Sequence, residues 1–156
     1  MSEHINIDLS TRIGRLQLSN PVMAASGTFG YGEEYAHVLD INRLGAVVTK
    51  GVSLEPSPGN PPPRIVETPA GMLNAIGLHN IGAEAFIKEK LPYLLQYSAR
   101  IIVNFYGSTE DQYVSLARRL GSVDGIDALE ANISCPNIKQ GGIAFGKDAQ
   151  IGRAHV

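Results

Sequence analysis

Four apolar runs, each ending in small or polar residues, constrain this chain more than anything else in it. They are Pro21-Val22-Met23-Ala24-Ala25, Ala46-Val47-Val48-Thr49-Lys50, Ile101-Ile102-Val103-Asn104 and Ala128-Leu129-Glu130-Ala131-Asn132. A strand with one wet face alternates apolar and polar residues. One buried on both faces reads as a continuous apolar run, as in parallel sheets covered by helices. Helix signals lie between the runs. Thr109 with Gln112 three residues on makes a capping-box pattern, and Tyr113, Leu116, Ala117 and Leu120 then recur at helical spacing, so a helix is expected to close before Gly121. Phe86, Ile87, Leu91, Leu94 and Leu95 mark a second helical face, which Pro92 must kink or restart because it has no N–H to donate. Gly45 and Gly121 read as helix stops. The β-α-β-α order predicts an α/β fold with a parallel sheet and covering helices, either open or closed into a barrel.

Two segments break the rhythm. Near the start Ile5, Ile7 and Leu9 alternate with polar residues, Ser10-Thr11-Arg12 is turn-prone, and Leu16 and Leu18 alternate again, which predicts a short antiparallel hairpin. Residues 51–80 carry Pro56, Pro58, Pro61, Pro62, Pro63 and Pro69, with a hairpin pattern over residues 64–76. An insertion this long after a strand is usually functional rather than a mere connector.

Composition narrows the partners. The 156 residues are 44% apolar and 18% charged, the balance of an ordinary globular protein. A net charge of −2 with no basic run leaves no electrostatic footprint for nucleic acid or an anionic membrane surface, so small-molecule partners are expected. One cysteine excludes an internal disulfide framework and a multi-cysteine metal site, which fits a reducing cytoplasm. No apolar stretch approaches the ~18 residues of a membrane span, and Met1-Ser2-Glu3-His4 lacks the basic start of a signal peptide. A soluble, untargeted, cytoplasmic chain is expected. His79 has no second His or Cys at ligand spacing, so it reads as a loop histidine and no metal site is expected.

Chemistry concentrates in Asn132-Ile133-Ser134-Cys135-Pro136-Asn137, which follows directly on the fourth apolar run. Barrel enzymes keep their catalytic groups just past the C-terminal ends of strands. An isolated cysteine is most often a small buried hydrophobe. Here two carboxamides flank it, each offering an acceptor oxygen and two N–H donors, a set suited to a planar polar ring, and a thiol in that position can act as a base.

Several motifs in order carry a family resemblance. Asn20-Pro21-Val22-Met23-Ala24-Ala25-Ser26-Gly27-Thr28-Phe29-Gly30, Thr49-Lys50-Gly51, Gly59-Asn60-Pro61, Gly71-Met72-Leu73-Asn74-Ala75-Ile76-Gly77-Leu78, Asn104, and the run from Asn132 to Asn137 together resemble the flavin-dependent dihydroorotate dehydrogenases of class 1. Gly141-Gly142-Ile143-Ala144-Phe145-Gly146 tilts the likeness to the class 1B catalytic subunit. The resemblance implies a (β/α)₈ barrel of the TIM type, here its first four β/α units behind an N-terminal hairpin. It implies FMN at the C-terminal mouth and oxidation of (S)-dihydroorotate to orotate in pyrimidine synthesis. It also implies a homo-oligomer when complete, and a second subunit bearing FAD and an iron–sulfur cluster that relays electrons to NAD.

Residue by residue, the likeness makes Ser26 and Asn104 FMN contacts. Lys50 and Gly51 sit where the family meets flavin, with Lys50 also touching substrate. Asn74, Ala75, Ile76, Gly77 and Leu78 match the substrate-binding loop, Asn132 contacts both ligands, Cys135 is the catalytic base and Asn137 a further substrate contact. Those residue types suit the reaction, which takes a proton from C5 of dihydroorotate and a hydride from C6. Cys135 serves as base if its pKa falls below the usual thiol value of ~8.5. Lys50 brings positive charge to where reduced flavin develops negative charge. Taken alone, a lysine ending a strand is commonly solvated, and an asparagine there commonly forms a turn. One departure is Phe105-Tyr106 before Gly107, where the family usually has small aliphatic residues; the pair either alters packing beside the flavin or reports a divergent lineage.

About four strand units fit in 156 residues, against ~250 residues for a full barrel. Residues 1–150 are therefore expected to be the N-terminal half of such an enzyme, inactive by itself, with apolar residues such as Val47 and Val103 left uncovered. Residues 151–156, Ile-Gly-Arg-Ala-His-Val, equal the translation of ATC GGA AGA GCA CAC GTC, the start of a common sequencing adapter, and are expected to be a non-native tail. Two other readings remain at this stage: a related flavin barrel acting on dihydropyrimidines, and a non-catalytic half-barrel that assembles with a complementary chain.

Overall fold

The computed structural model describes residues 7–134. It opens with an antiparallel hairpin of β1 (Thr11–Ile13) and β2 (Leu16–Leu18), with Thr11 opposite Leu18 and Ile13 opposite Leu16. The expected turn at Ser10-Thr11-Arg12 is in fact part of the first strand, and Ile7 and Leu9 lie exposed outside any strand. The turn falls at Gly14-Arg15 because Gly14 takes a φ of 57°, the left-handed conformation that a two-residue hairpin turn demands. Ile5 is outside the described residues.

Four strands then form one parallel sheet: β3 (Met23–Ala24), β4 (Ala46–Val48), β7 (Arg100–Phe105) and β8 (Ala128–Ala131). The strands between, β5 (Ile65–Thr68) and β6 (Gly71–Asn74), make the expected hairpin inside the long insertion. Sheet order is β3-β4-β7-β8, the order of the chain with no reversal. A doubly wound open sheet reverses at a switch point, whereas a closing barrel adds each strand beside the last, so this is a partial (β/α) barrel.

Alternation along the strands sorts two cores. Ala46, Val48 and Ile102 point to the inner face, where Leu18 buries against them with Leu16 and Ala128 at the margin. Thus the hairpin closes the bottom of the half-barrel. Val47, Ile101, Val103 and Phe105 point the other way, into a cluster with Phe86, Leu91, Leu94, Leu116 and Leu120. Val47 and Val103 are 0% exposed, contrary to the expectation that they would be left uncovered. Their positions in the strand period put them under the helices, not on the inner face. Arg100 fixes the hairpin from below: its Nε donates to the Gln17 carbonyl at 3.1 Å and its Nη1 to Asp127 Oδ1 at 3.0 Å, while Asp127 Oδ2 accepts from the Ile101 N–H at 2.8 Å.

The covering helices follow their signals with local changes. α1 (Ala83–Ala85) passes through a π turn at Phe86–Lys90 into α2 (Leu91–Leu94). There the Leu91 N–H reaches back five residues to the Phe86 carbonyl, so the widened turn comes immediately before Pro92 and absorbs the irregularity that Pro92 imposes. α3 (Glu110–Gly121) begins at Thr109, whose hydroxyl accepts from the Gln112 N–H at 3.3 Å. Gln112 Oε1 returns the bond to the Ser108 N–H, one residue earlier than a capping box requires. Gly121 is the last helical residue, one beyond the expected stop. Gly45 stands where a helix stop is expected, two residues past the 3₁₀ turn Ile41–Arg43 and directly before β4; its N–H donates to the Val22 carbonyl at 2.8 Å and its carbonyl accepts from the Arg100 N–H at 3.1 Å. Among the described residues no helix is long and apolar enough to cross a membrane.

Phe86 sits at the centre of the helix-side cluster and is fully buried. Phe86→Ala in the intact protein should cost about 3–5 kcal/mol through lost burial and the cavity left behind. Urea denaturation reads this as a lowered midpoint at constant slope, and an unchanged midpoint would contradict its central place.

Candidate active site

The site begins with an irregularity at the end of β4. Thr49 N–H donates to the Ile102 carbonyl at 3.0 Å, and the next N–H on that side to reach the neighbouring strand is that of Val52, to the Asn104 carbonyl at 3.0 Å. Regular parallel pairing would use residue 51 for the second bond, so three residue steps on this strand face two on β7. Lys50 and Gly51 therefore form a bulge, a device that re-aims side chains and recurs beside active sites. Freed from the ladder, the Lys50 N–H donates to the Gly30 carbonyl at 2.8 Å. That bond joins the bulge to the loop after β3, where Ser26 lies half-buried in a turn. Tyr31 continues this loop and packs its ring 5.7 Å from that of Phe86; burial pushes its phenol up to about 12, so it is neutral at physiological pH.

Asn104 closes on the bulge from β7. It shares the inner face with Ile102 and is 2% exposed. A Cβ at residue 51 would lie 2.5 Å from Asn104 Oδ1, so glycine at 51 leaves room for the buried carboxamide. Asn104 Nδ2 donates to Glu130 Oε1 at 2.6 Å, a charge-assisted bond that turns Oδ1 toward Gly51 and Asn132. Asn132 Nδ2 approaches that oxygen at 3.5 Å, a long contact. Asn132 itself is fixed through its main chain: its N–H donates to the Phe105 carbonyl at 2.8 Å and its carbonyl accepts from the Tyr113 hydroxyl at 2.5 Å. Its Oδ1 accepts from the Ser134 N–H at 3.2 Å.

The 74–78 loop hangs over this end of the sheet from the long insertion. Asn74 ends β6 opposite Ile65 and is exposed. Asn60 braces the next two residues, its Nδ2 donating to the Ala75 carbonyl at 2.7 Å and its backbone N–H to the Ile76 carbonyl at 3.0 Å. The Leu78 carbonyl accepts from the Tyr106 hydroxyl at 3.0 Å and from Asn80 Nδ2 at 2.9 Å. Tyr106 follows β7 directly, so the loop is attached to the strand ends that carry the other polar groups. His79 is an exposed loop residue whose Nδ1 lies 3.4 Å from Arg64 Nη2.

Ser26, Lys50, Gly51, Asn104 and Asn132 thus lie at the C-terminal ends of the four parallel strands or in the turns that follow, and Gly51 and Asn132 both approach the Asn104 carboxamide. Ala75, Ile76, Gly77 and Leu78 reach the same end through Tyr106. Cys135 and Asn137 lie outside the described residues. Sequence reasoning passes over Glu130 and Asn80 and marks Tyr106 only as a departure from the family pattern. Glu130 had a signal, since Ala128, Glu130 and Asn132 fall on one face of a strand; Asn80 had none, because its partners are distant in sequence.

A barrel sheet with buried polar groups gathered at the C-terminal strand ends has the architecture of a barrel enzyme. Residues 8–155 match the family described as dihydroorotate dehydrogenase, and the chain belongs to that family. It is 60% identical over 141 residues to the dihydroorotate dehydrogenase B (NAD(+)) catalytic subunit of Pelobacter propionicus, and 59% identical over 140 residues to that of Trichlorobacter lovleyi. Each match covers 90% of this chain and 46% of the relative, so the chain spans about half the length of these proteins. Among solved structures, a dihydroorotate dehydrogenase from Eimeria tenella in complex with ferulenol superimposes with a TM-score of 0.65 at 24% identity, over 88% of this chain and 39% of that one, a likeness of fold.

Because Gly51 and Asn104 are in such close approach, Gly51→Ala should destabilise the intact protein by the ~1–3 kcal/mol of overpacking. Asn104→Ala removes the obstructing oxygen, so the double variant should be less unstable than the sum of the two single ones. Additive losses in thermal or urea unfolding would show that the two residues do not press on each other.

Proposed function

We propose that residues 1–150 are the N-terminal half of an FMN-dependent dihydroorotate dehydrogenase of the NAD-linked class 1B, which oxidises (S)-dihydroorotate to orotate in UMP synthesis. The observation that carries this reading is the Lys50-Gly51 bulge locked against Asn104 beside Asn132, at the strand ends where a barrel enzyme does its chemistry. Residues 151–156 are proposed to be a non-native tail. The proposal includes a cytoplasmic homo-oligomer and a partner subunit carrying FAD and an iron–sulfur cluster; the words catalytic subunit in the relatives' names favour a separate partner.

The donor set fits both ligands. The imide edges of a flavin ring and of orotate alternate carbonyl acceptors with an N–H donor, and the carboxamides of Asn104 and Asn132 offer both functions without adding charge. Glu130 is engaged by Asn104, so its carboxylate orients that carboxamide. Ser26, Lys50, Gly51, Asn104 and Asn132 would hold FMN, which supplies the hydride acceptor when bound. Lys50, Asn132, Asn137 and the 74–78 loop would orient dihydroorotate. Cys135 would take the C5 proton, and the Lys50 ammonium would favour negative charge on its ligand at low energetic cost, because the bulge fixes its backbone in advance.

In the full-length enzyme, Cys135→Ala should lower turnover of dihydroorotate by about 10²–10⁴-fold, the usual effect of losing a positioned base, and leave bound flavin absorbance intact. Near-normal turnover would mean that another group takes the proton.

Among the described residues of this chain β3 and β8 are the open edges of the parallel sheet. Unpaired edges invite association. The chain alone should therefore elute from a sizing column as a dimer or aggregate, without flavin absorbance or dihydroorotate oxidation. A flavin-loaded, active monomer would sink the half-enzyme proposal.

A further inference from the structure

We infer that Tyr106 is a positioning residue, which with Asn80 clamps the 74–78 loop in the conformation that receives substrate. The inference rests on the reading of that loop proposed above. Leu78 has a φ of 57°, the one positive value among the described non-glycine residues. Side chains with a Cβ avoid this region, and they stay in it only where the surroundings over-determine it. Here the determinants are visible. The Leu78 carbonyl accepts two hydrogen bonds, at 3.0 Å from the Tyr106 hydroxyl and at 2.9 Å from Asn80 Nδ2. Both donors come from buried side chains, 7% and 4% exposed, whereas Asn74 and Ala75 at the start of the loop are open to solvent.

Each donor is itself held. The Tyr106 N–H donates to the Val52 carbonyl at 3.0 Å, continuing the ladder past the bulge. Phe105 turns outward, its ring 5.8 Å from that of Tyr113, so strand alternation sends Tyr106 to the inner side. Asn80 exchanges two backbone bonds with Ser57, at 2.9 and 3.0 Å, and its Oδ1 accepts from the Ser53 and Gly82 N–H groups at 3.1 and 2.8 Å. The two side chains also bond each other, Asn80 Nδ2 donating to the Tyr106 oxygen at 2.8 Å. A small aliphatic residue at 106 would remove the hydroxyl and leave the Leu78 carbonyl to Asn80 alone, whose Nδ2 keeps that carbonyl and Ser53 Oγ, both at 2.9 Å, as acceptors. The aromatic pair before Gly107 therefore has divided roles: Phe105 fills the helix-side core, and Tyr106 ties the end of a partly exposed loop to the sheet.

The test uses the full-length enzyme and Tyr106→Phe, which keeps the ring and removes only the hydroxyl. KM for dihydroorotate should rise about tenfold, the equivalent of ~1.4 kcal/mol and within the range for one lost hydrogen bond, with kcat and flavin content little changed. Hydrogen exchange at residues 75–80 should quicken while α3 keeps its protection. Leu78→Gly accepts a positive φ without strain, so in that background Tyr106→Phe should raise KM by less. An unchanged KM in a variant with a loosened loop would overturn the positioning role, as would a general loss of protection across the whole protein. Unaltered exchange at residues 75–80 would overturn the clamp itself. If the unmutated enzyme fails to oxidise dihydroorotate, the proposed function falls separately, and loop exchange still decides the clamp.

Discussion

Everything in this half-barrel depends on β4 and β7 being buried on both faces at once. With a side-chain period of two, one strand feeds two cores: Val47 and Val103 reach the helices, while Val48 and Ile102 reach the inner face. Neither core could form if the register slipped by one residue, because every side chain would change faces. The pairing of Ala46 with Arg100 and of Val48 with Ile102 thus sets the helix contacts, the seat of the N-terminal hairpin and the starting phase of the site.

The site arises where that regularity is given up. Up to Thr49 the sheet is uniform; at Lys50-Gly51 one additional residue is admitted, and the main chain of Lys50 turns to Gly30. Function here comes from a local breach in a well-packed scaffold. The breach is tolerated because both flanks are pinned, Thr49 to Ile102 and Val52 to Asn104. Asn104 gains its orientation from Glu130 and its room from the missing Cβ of Gly51, so three strands contribute to one carboxamide.

The parallel strands were legible because continuous apolar runs have few alternatives, and the helix from Thr109 was legible because its cap and its periodicity agree. The first hairpin was misplaced by several residues, since alternation at Ile5, Ile7 and Leu9 resembles a strand while the turn depended on the single glycine at 14. The ends of the same apolar runs put Lys50, Asn104 and Asn132 at the strand ends, where the structure has them. The bulge was not readable, because it exists only in the pairing of residues about fifty apart, and neither were Asn80 and Tyr106, whose value lies in hydrogen bonds to each other and to Leu78. Val47 and Val103 were assigned to the wrong side because an uninterrupted apolar run does not declare which alternate residues face inward.

The seat of the first hairpin has a consequence for how the chain is made. Gln17 is held by Arg100, 83 residues further along, and Leu18 buries against Ile102 and alongside Ala128. During synthesis the strand that carries Ala46 and Val48 follows the hairpin closely, but Arg100, Ile102 and Ala128, the rest of its docking surface, come much later. At the usual ~5–20 residues per second, roughly 4–17 s pass before Arg100 is even polymerised. Through that interval Leu16 and Leu18 have only part of their seat, so a segment made early is among the last to be fully secured.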